Sequence, residues 1–121
     1  MATFLCIASY YKGNDFLIAC KEAGNKVYLV TSKGLEDKPW ARSHIDNIFY
    51  IQEDQNDEWN LDDLIKGTAF LMRSEKIDRV VALDDFDVEK AAALRETFRL
   101  PGMGQTTAHH FRDKLYTQNI V

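Results

Sequence analysis

Phe4-Leu5-Cys6-Ile7-Ala8 and Gly24-Asn25-Lys26-Val27-Tyr28-Leu29-Val30 decide the fold. The first stretch is a near-continuous apolar run, as expected of a strand covered on both faces. Between the two runs, Phe16, Ala19, Cys20 and Ala23 recur at helical spacing, and Gly24 stops that helix as a C-cap. Only Asn25 and Lys26 separate the glycine from the second apolar run. So short a return predicts a β-α-β unit, which is right-handed almost without exception.

The alternation continues outward. Thr31 to Asp46 is the least regular part, and Ile48 to Ile51 is a short third strand. Leu61, Leu64, Ile65, Thr68, Leu71 and Met72 trace one face of a long helix, with Asn60 or Asp57 placed to cap it. Val80 to Leu83 is the fourth strand. Val88, Ala91, Leu94 and Phe98 supply the apolar face of a third helix. Ala108, Phe111 and Leu115 supply that of a fourth, with Thr106 as its cap. The reading is a small three-layer α/β domain around a mainly parallel sheet of four strands.

Composition sets bounds on function. The chain has 121 residues, 45% hydrophobic and 28% charged, with a net charge of −4. That is one ordinary globular domain, without the basic face of a nucleic-acid binder. No apolar run reaches the roughly 18 residues of a membrane span, and Phe4 to Ala8 lacks the basic flank of a signal peptide. Cys6 and Cys20 fall in separate apolar segments and read as two buried thiols of a cytoplasmic protein. Trp40 and Trp59, each beside a loop, read as packing anchors.

In open α/β sheets ligands bind beyond the carboxyl ends of the strands. The loop Ser9-Tyr10-Tyr11-Lys12-Gly13-Asn14-Asp15 follows strand one. It lacks the glycine pattern of a dinucleotide site and the Lys-Ser/Thr pair of a P-loop. Its hydroxyls, the Asn14 amide and Lys12 suit a small anionic substrate; a plain helix-entry turn capped by Asn14 or Asp15 is the other reading. After strand four, Asp84, Asp85 and Asp87 converge on a helix start. Such carboxylates suit Mg²⁺ with water and phosphate oxygens, or they cap the helix. Capping is assigned to Asp87 and Asp85, while Asp84, at the strand end, is open to either role. The cluster comes too late for a receiver-type phosphoacceptor. His109 and His110 are adjacent, so their rings splay, and no zinc site is expected.

Leu83-Asp84-Asp85, Leu100-Pro101-Gly102, Thr107-Ala108 and Phe111-Arg112-Asp113-Lys114 resemble the junction between the N-terminal (pre-ATP-grasp) domain and the ATP-grasp fold of ATP-grasp ligases. Biotin carboxylase-like and amino-acid ligase members are the nearest in kind. The resemblance covers the chain broadly, but residues 80 to 115 carry the motif weight. It implies a Rossmann-like first domain at 1–105, with 106–121 starting the connection to a following ATP-grasp domain. It implies Lys114 as a nucleotide-phosphate contact in a complete enzyme, a compact ammonium suiting phosphate. Asp84, Lys12 and Asn14 would serve a small-molecule carboxylate substrate. ATP and Mg²⁺ would be cofactors of the complete, ADP-forming ligase, with none expected for this stretch alone. Leu115 to Val121 carries none of the further ATP-binding elements, so the chain is expected to be catalytically inactive by itself. The alternatives are a binding module self-associating through Ala108, Phe111 and Leu115 as a homodimer, and a Mg²⁺ or small-ligand domain using Asp84 and the Ser9–Asp15 loop.

Overall fold

The computed structural model describes residues 2–56 and 58–100. The domain boundary expected at residue 105, the Pro101-Gly102 turn, the 106–121 helix, His109, His110 and Lys114 lie outside them, as does Asp57.

Among the described residues seven regular elements follow one another: β1 (Thr3–Ala8), α1 (Asn14–Glu22), β2 (Lys26–Ser32), β3 (Asn47–Ile51), α2 (Leu61–Leu71), β4 (Arg79–Ala82) and α3 (Val88–Phe98). Single 3₁₀ turns occupy Lys33–Leu35, Arg42–His44 and Asp85–Asp87. The strands form one parallel sheet in the order β3-β2-β1-β4. In register, Leu5 stands beside Tyr28 on one side and Val80 on the other, and Val30 stands beside Phe49.

Strand alternation divides the core between the two faces. Leu5, Ile7, Tyr28, Val30 and Val80 face α2 and α3, burying Leu64, Ala91 and Leu94. Cys6, Ala8, Val27 and Leu29 face the other way and bury Leu17, Cys20 and Trp40. The central strand β1 is therefore apolar on both sides, which is why it reads as an unbroken run. Both tryptophans are buried as expected: the Trp40 indole donates to the Leu35 carbonyl, and the Trp59 indole to Ser32 Oγ.

Three details depart from the expected elements. The buried face of α1 is Leu17 and Cys20, whereas Phe16, Ala19 and Ala23 are exposed. A nine-residue helix is short enough for two apolar phases to fit, and its approach to the sheet selects the other one. Leu61 is likewise exposed on α2, whose inward residues are Leu64 and Thr68. Finally, β4 begins at Arg79 rather than Val80, although the Leu83 amide still donates to the Ile7 carbonyl at 2.9 Å. Gly24 does end α1, with a φ of 92°, and Asn60 does cap α2 by accepting from the Asp63 amide.

Candidate functional site

The strand order reverses between β1 and β4: the chain moves outward through β2 and β3, then returns to the far side of β1. Such a switch point opens a crevice at the carboxyl ends of the two strands. Here it is bounded by the loop from Ser9 to Gly13 and the loop from Leu83 to Asp87.

These loops meet side chain to side chain, running antiparallel to each other. At the base, Asp87 is fully buried. One of its oxygens accepts from the Ser9 amide at 2.7 Å, and the other from Ser9 Oγ. One step up, the rings of Tyr10 and Phe86 lie with centroids 5.3 Å apart and planes tilted by 57°. Lys12 Nζ then stands 3.5 Å from Asp84 Oδ2. At the far end, Gly13 lies against Leu83 so closely that an added Cβ would sit 2.7 Å from Leu83 Cδ1. Gly13 also has a φ of 95°, so both its space and its backbone call for glycine.

A buried polar ring supports the base. Lys90 Nζ lies 3.3 Å from Asp87 and 5.6 Å from the Trp59 ring centroid. The Trp59 indole donates to Ser32 Oγ at 2.7 Å, and Ser32 Oγ donates to the Ser9 carbonyl at 3.3 Å. Four segments are thereby tied at one end of the sheet. Asp87 is thus not the helix cap expected of it: it makes no capping bond to α3 and turns inward to Ser9. The cap in this loop is Asp84, which accepts from the Phe86 amide at 3.0 Å, while Asp85 is exposed.

Asn14 is spent on structure. Its carbonyl oxygen accepts from the Ala41 amide at 3.0 Å, and its amide group donates to Tyr11 Oη and the Pro39 carbonyl. It does not cap α1; Gly13 holds the N-cap position, with no side-chain capping bond. Tyr11, Lys12, Gly13, Asn14, Asp15 and Leu83 line a cleft of about 390 Å³. The structure therefore brings Lys12, Asp84 and Asn14 to one place. Lys12 and Asp15 are the charged residues of the cleft lining, Asp84 pairs with Lys12 beside it, and Asn14 fixes its wall.

A larger hollow of about 700 Å³ runs under α2 along β3. Its floor is Leu5, Tyr28, Val30 and Phe49, and its rim acid Glu75 is engaged by Lys26 at 3.1 Å. It lies on the sheet face rather than at the strand ends, and its lining brings no cation to a ligand. The smaller cleft is the better candidate because it brings an ammonium, paired with Asp84, to the switch point.

The carboxylates of the crevice do not gather round one point. Asp87 faces Ser9 and Asp84 faces Lys12, and no group of three or more metal-binding side chains occurs among the described residues. No magnesium position follows from them. No described helix is long and apolar enough to cross a membrane. Cys6 and Cys20 are free and buried, and burial pushes both thiols above their ordinary pKa.

Sequence reasoning missed the Ser9–Asp87, Tyr10–Phe86 and Gly13–Leu83 contacts. Each depends on β4 lying beside β1, and no local signal in the sequence states that neighbourhood.

No known family model matches the sequence, and no curated protein matches it significantly. Solved structures do match. An L-amino acid ligase from Bacillus licheniformis superposes with a TM-score of 0.75 at 15% identity, over 100% of this chain and 30% of the ligase. A phosphoribosylglycinamide synthetase from Anaerococcus prevotii superposes with a TM-score of 0.62 at 13% identity, over 98% of this chain and 29% of the synthetase. The chain spans less than a third of either structure. With the parallel β3-β2-β1-β4 sheet, these likenesses show that the chain has a Rossmann-like α/β fold shared with about 30% of each of these two structures.

Proposed function

We propose that this chain is the substrate-side domain of an ATP-dependent, ADP-forming carboxylate ligase, and that it is catalytically inactive by itself. The observation that carries the reading is the superposition of the entire chain on less than a third of an L-amino acid ligase. That likeness favours a part of an enzyme over a stand-alone binding module. In this reading a small carboxylate enters the cleft beside Lys12. There it replaces Asp84 as the partner of the ammonium, and the uncapped amino end of α1 adds its favourable dipole. ATP and Mg²⁺ belong to the complete enzyme, with Lys114 as the proposed phosphate contact. The pair of reduced, buried thiols suits the cytoplasm.

Isothermal titration of MgATP into the 121-residue chain tests the assignment of nucleotide binding. The expected result is no saturable binding into the millimolar range, weaker than about 4 kcal/mol. Micromolar binding abolished by Lys114→Ala or Asp84→Ala would overturn the reading. So would robust ADP release by the pure chain.

A further inference from the structure

We infer that the outer edge of β3 is a pairing surface for a second copy of this chain, the two β3 strands running antiparallel about Phe49. The inference goes beyond the proposed function and does not depend on it.

The sheet has two outer strands, β3 and β4. An open edge presents unpaired N–H and C=O groups, and single chains protect such edges with charge, proline or shortness. β4 is protected: it is four residues long and starts at the exposed Arg79. β3 is not. Its five residues, Asn47-Ile48-Phe49-Tyr50-Ile51, include no charge, no proline and no glycine. Four of them are strong strand formers, and Tyr50 is 37% exposed.

The edge is also self-complementary. Antiparallel pairing about Phe49 sets Asn47 opposite Ile51 of the second copy and Ile48 opposite its Tyr50. Beyond the strand, Asp46 falls opposite Gln52, and Glu53 opposite Ile45. No like charges meet. Both flanking acids are already engaged within the chain, Asp46 by Lys21 and the Val27 amide, and Glu53 by the Gly34 amide. Such a pairing uses the same patch on both copies and closes as a dimer.

The hollow of about 700 Å³ beside this edge gives the second copy more than a strand to meet. Phe49 and Ile51 of β3 and Gly67 and Phe70 of α2 are part of its lining. Gly67 has open space where a Cβ would stand, and Phe70 is 72% exposed. The two-fold axis of an antiparallel strand pair is perpendicular to the sheet, so both α2 helices lie on the same face and run antiparallel. The acidic first turn of one, with Asp62 and Asp63, then points toward Arg73 just past the end of the other. Apolar surface that one copy leaves open is covered by two.

The test is sedimentation velocity of the 121-residue chain from about 5 μM to about 1 mM, a span that brackets the weak association of a small interface. The expected result is a monomer–dimer equilibrium, with amide shifts on dilution confined to residues 47–52 and 63–74. Tyr50→Lys places a charge on each edge and should weaken the dimer at least about fivefold. Lys33 Nζ lies 5.6 Å from the Tyr50 ring centroid, so Phe70→Ser supplies a second test without a new charge, and it should weaken the dimer as well. Arg79→Ala, on the opposite edge, should leave the dimer unchanged. A strict monomer at about 1 mM overturns the inference. So does a dimer indifferent to both Tyr50→Lys and Phe70→Ser, or one whose shifts fall on residues 79–82. Amides of β3 that exchange slowly at every concentration would make the rest of this chain the occupant of the edge, which also overturns it.

Discussion

Asp87→Ala removes the anchor beneath the candidate site, and its cost follows from what the carboxylate touches. Asp87 is fully buried, accepts from both the amide and the hydroxyl of Ser9, and lies 3.3 Å from Lys90 Nζ. Hydrogen bonds to a charged group contribute about 1.5–3 kcal/mol each, and an orphaned buried donor adds its desolvation penalty. Breaking a fully buried ion pair costs about 3–5 kcal/mol. Lys90 retains 26% side-chain exposure, so its ammonium can turn toward water and the lower end applies. The expected loss is about 3 kcal/mol, a large part of the roughly 5–15 kcal/mol that holds a typical domain. Urea denaturation at neutral pH measures it, with an unchanged slope showing that the folded and unfolded ensembles are otherwise alike. Ser9→Ala removes only the hydroxyl contact and should cost about 1–2 kcal/mol. Because the two residues share a bond, the double variant should be less destabilised than the two losses added, with a coupling of at least about 1 kcal/mol. A loss below about 1 kcal/mol for Asp87→Ala, or strict additivity, would refute the claim that Asp87 holds the β1 loop.

Gly13→Ala combines a left-handed backbone with a Cβ 2.7 Å from Leu83 and should cost about 2–4 kcal/mol. Chemical denaturation reads that loss, and Leu83→Ala should not rescue it, because the Leu83 Cβ that an alanine keeps stands 2.8 Å from the same point. At Asp46, burial disfavours the charge, but the Val27 amide at 2.7 Å and the Lys21 ammonium at 2.9 Å outweigh it and hold the carboxyl below its ordinary range. A depressed folded-state pKa contributes stability that is complete above the unfolded value, about 3.9, and is lost as pH falls through the folded one. Thermal melts of the parent should therefore decline below about pH 4, and Asp46→Asn should flatten part of that decline. Cys6 and Cys20, raised by burial, should react with an aromatic disulfide reagent at least about a hundredfold slower in the native chain than in urea.

The sheet was legible because its central strand carries no polar face. Leu5, Cys6, Ile7 and Ala8 are all fully buried, and a run of that kind admits few readings. The phase of α1 was not legible: Phe16, Ala19 and Ala23 match a helical period as well as Leu17 and Cys20 do, and contact with the sheet decides between them. Lys12, Asn14 and Asp84 were legible as polar residues beyond strand ends, but their relations were not. Asn14 turns out to hold the 39–41 segment, whereas Lys12 and Asp84 face each other. Asp87 shows the limit most clearly. Local rules assign an aspartate at a helix start to capping, yet a partner 78 residues away in sequence claims it. Only the adjacency of β1 and β4 makes that partner available.

The most direct measurement is an amide map of the chain during titration with acetate, the simplest carboxylate. The account predicts saturable shifts confined to residues 9–15 and 83–87, abolished by Lys12→Met with the fold intact. Shifts centred on Asn47, Phe49 and Gly67 would place the ligand in the hollow beneath α2 instead, and the switch-point site would be wrong.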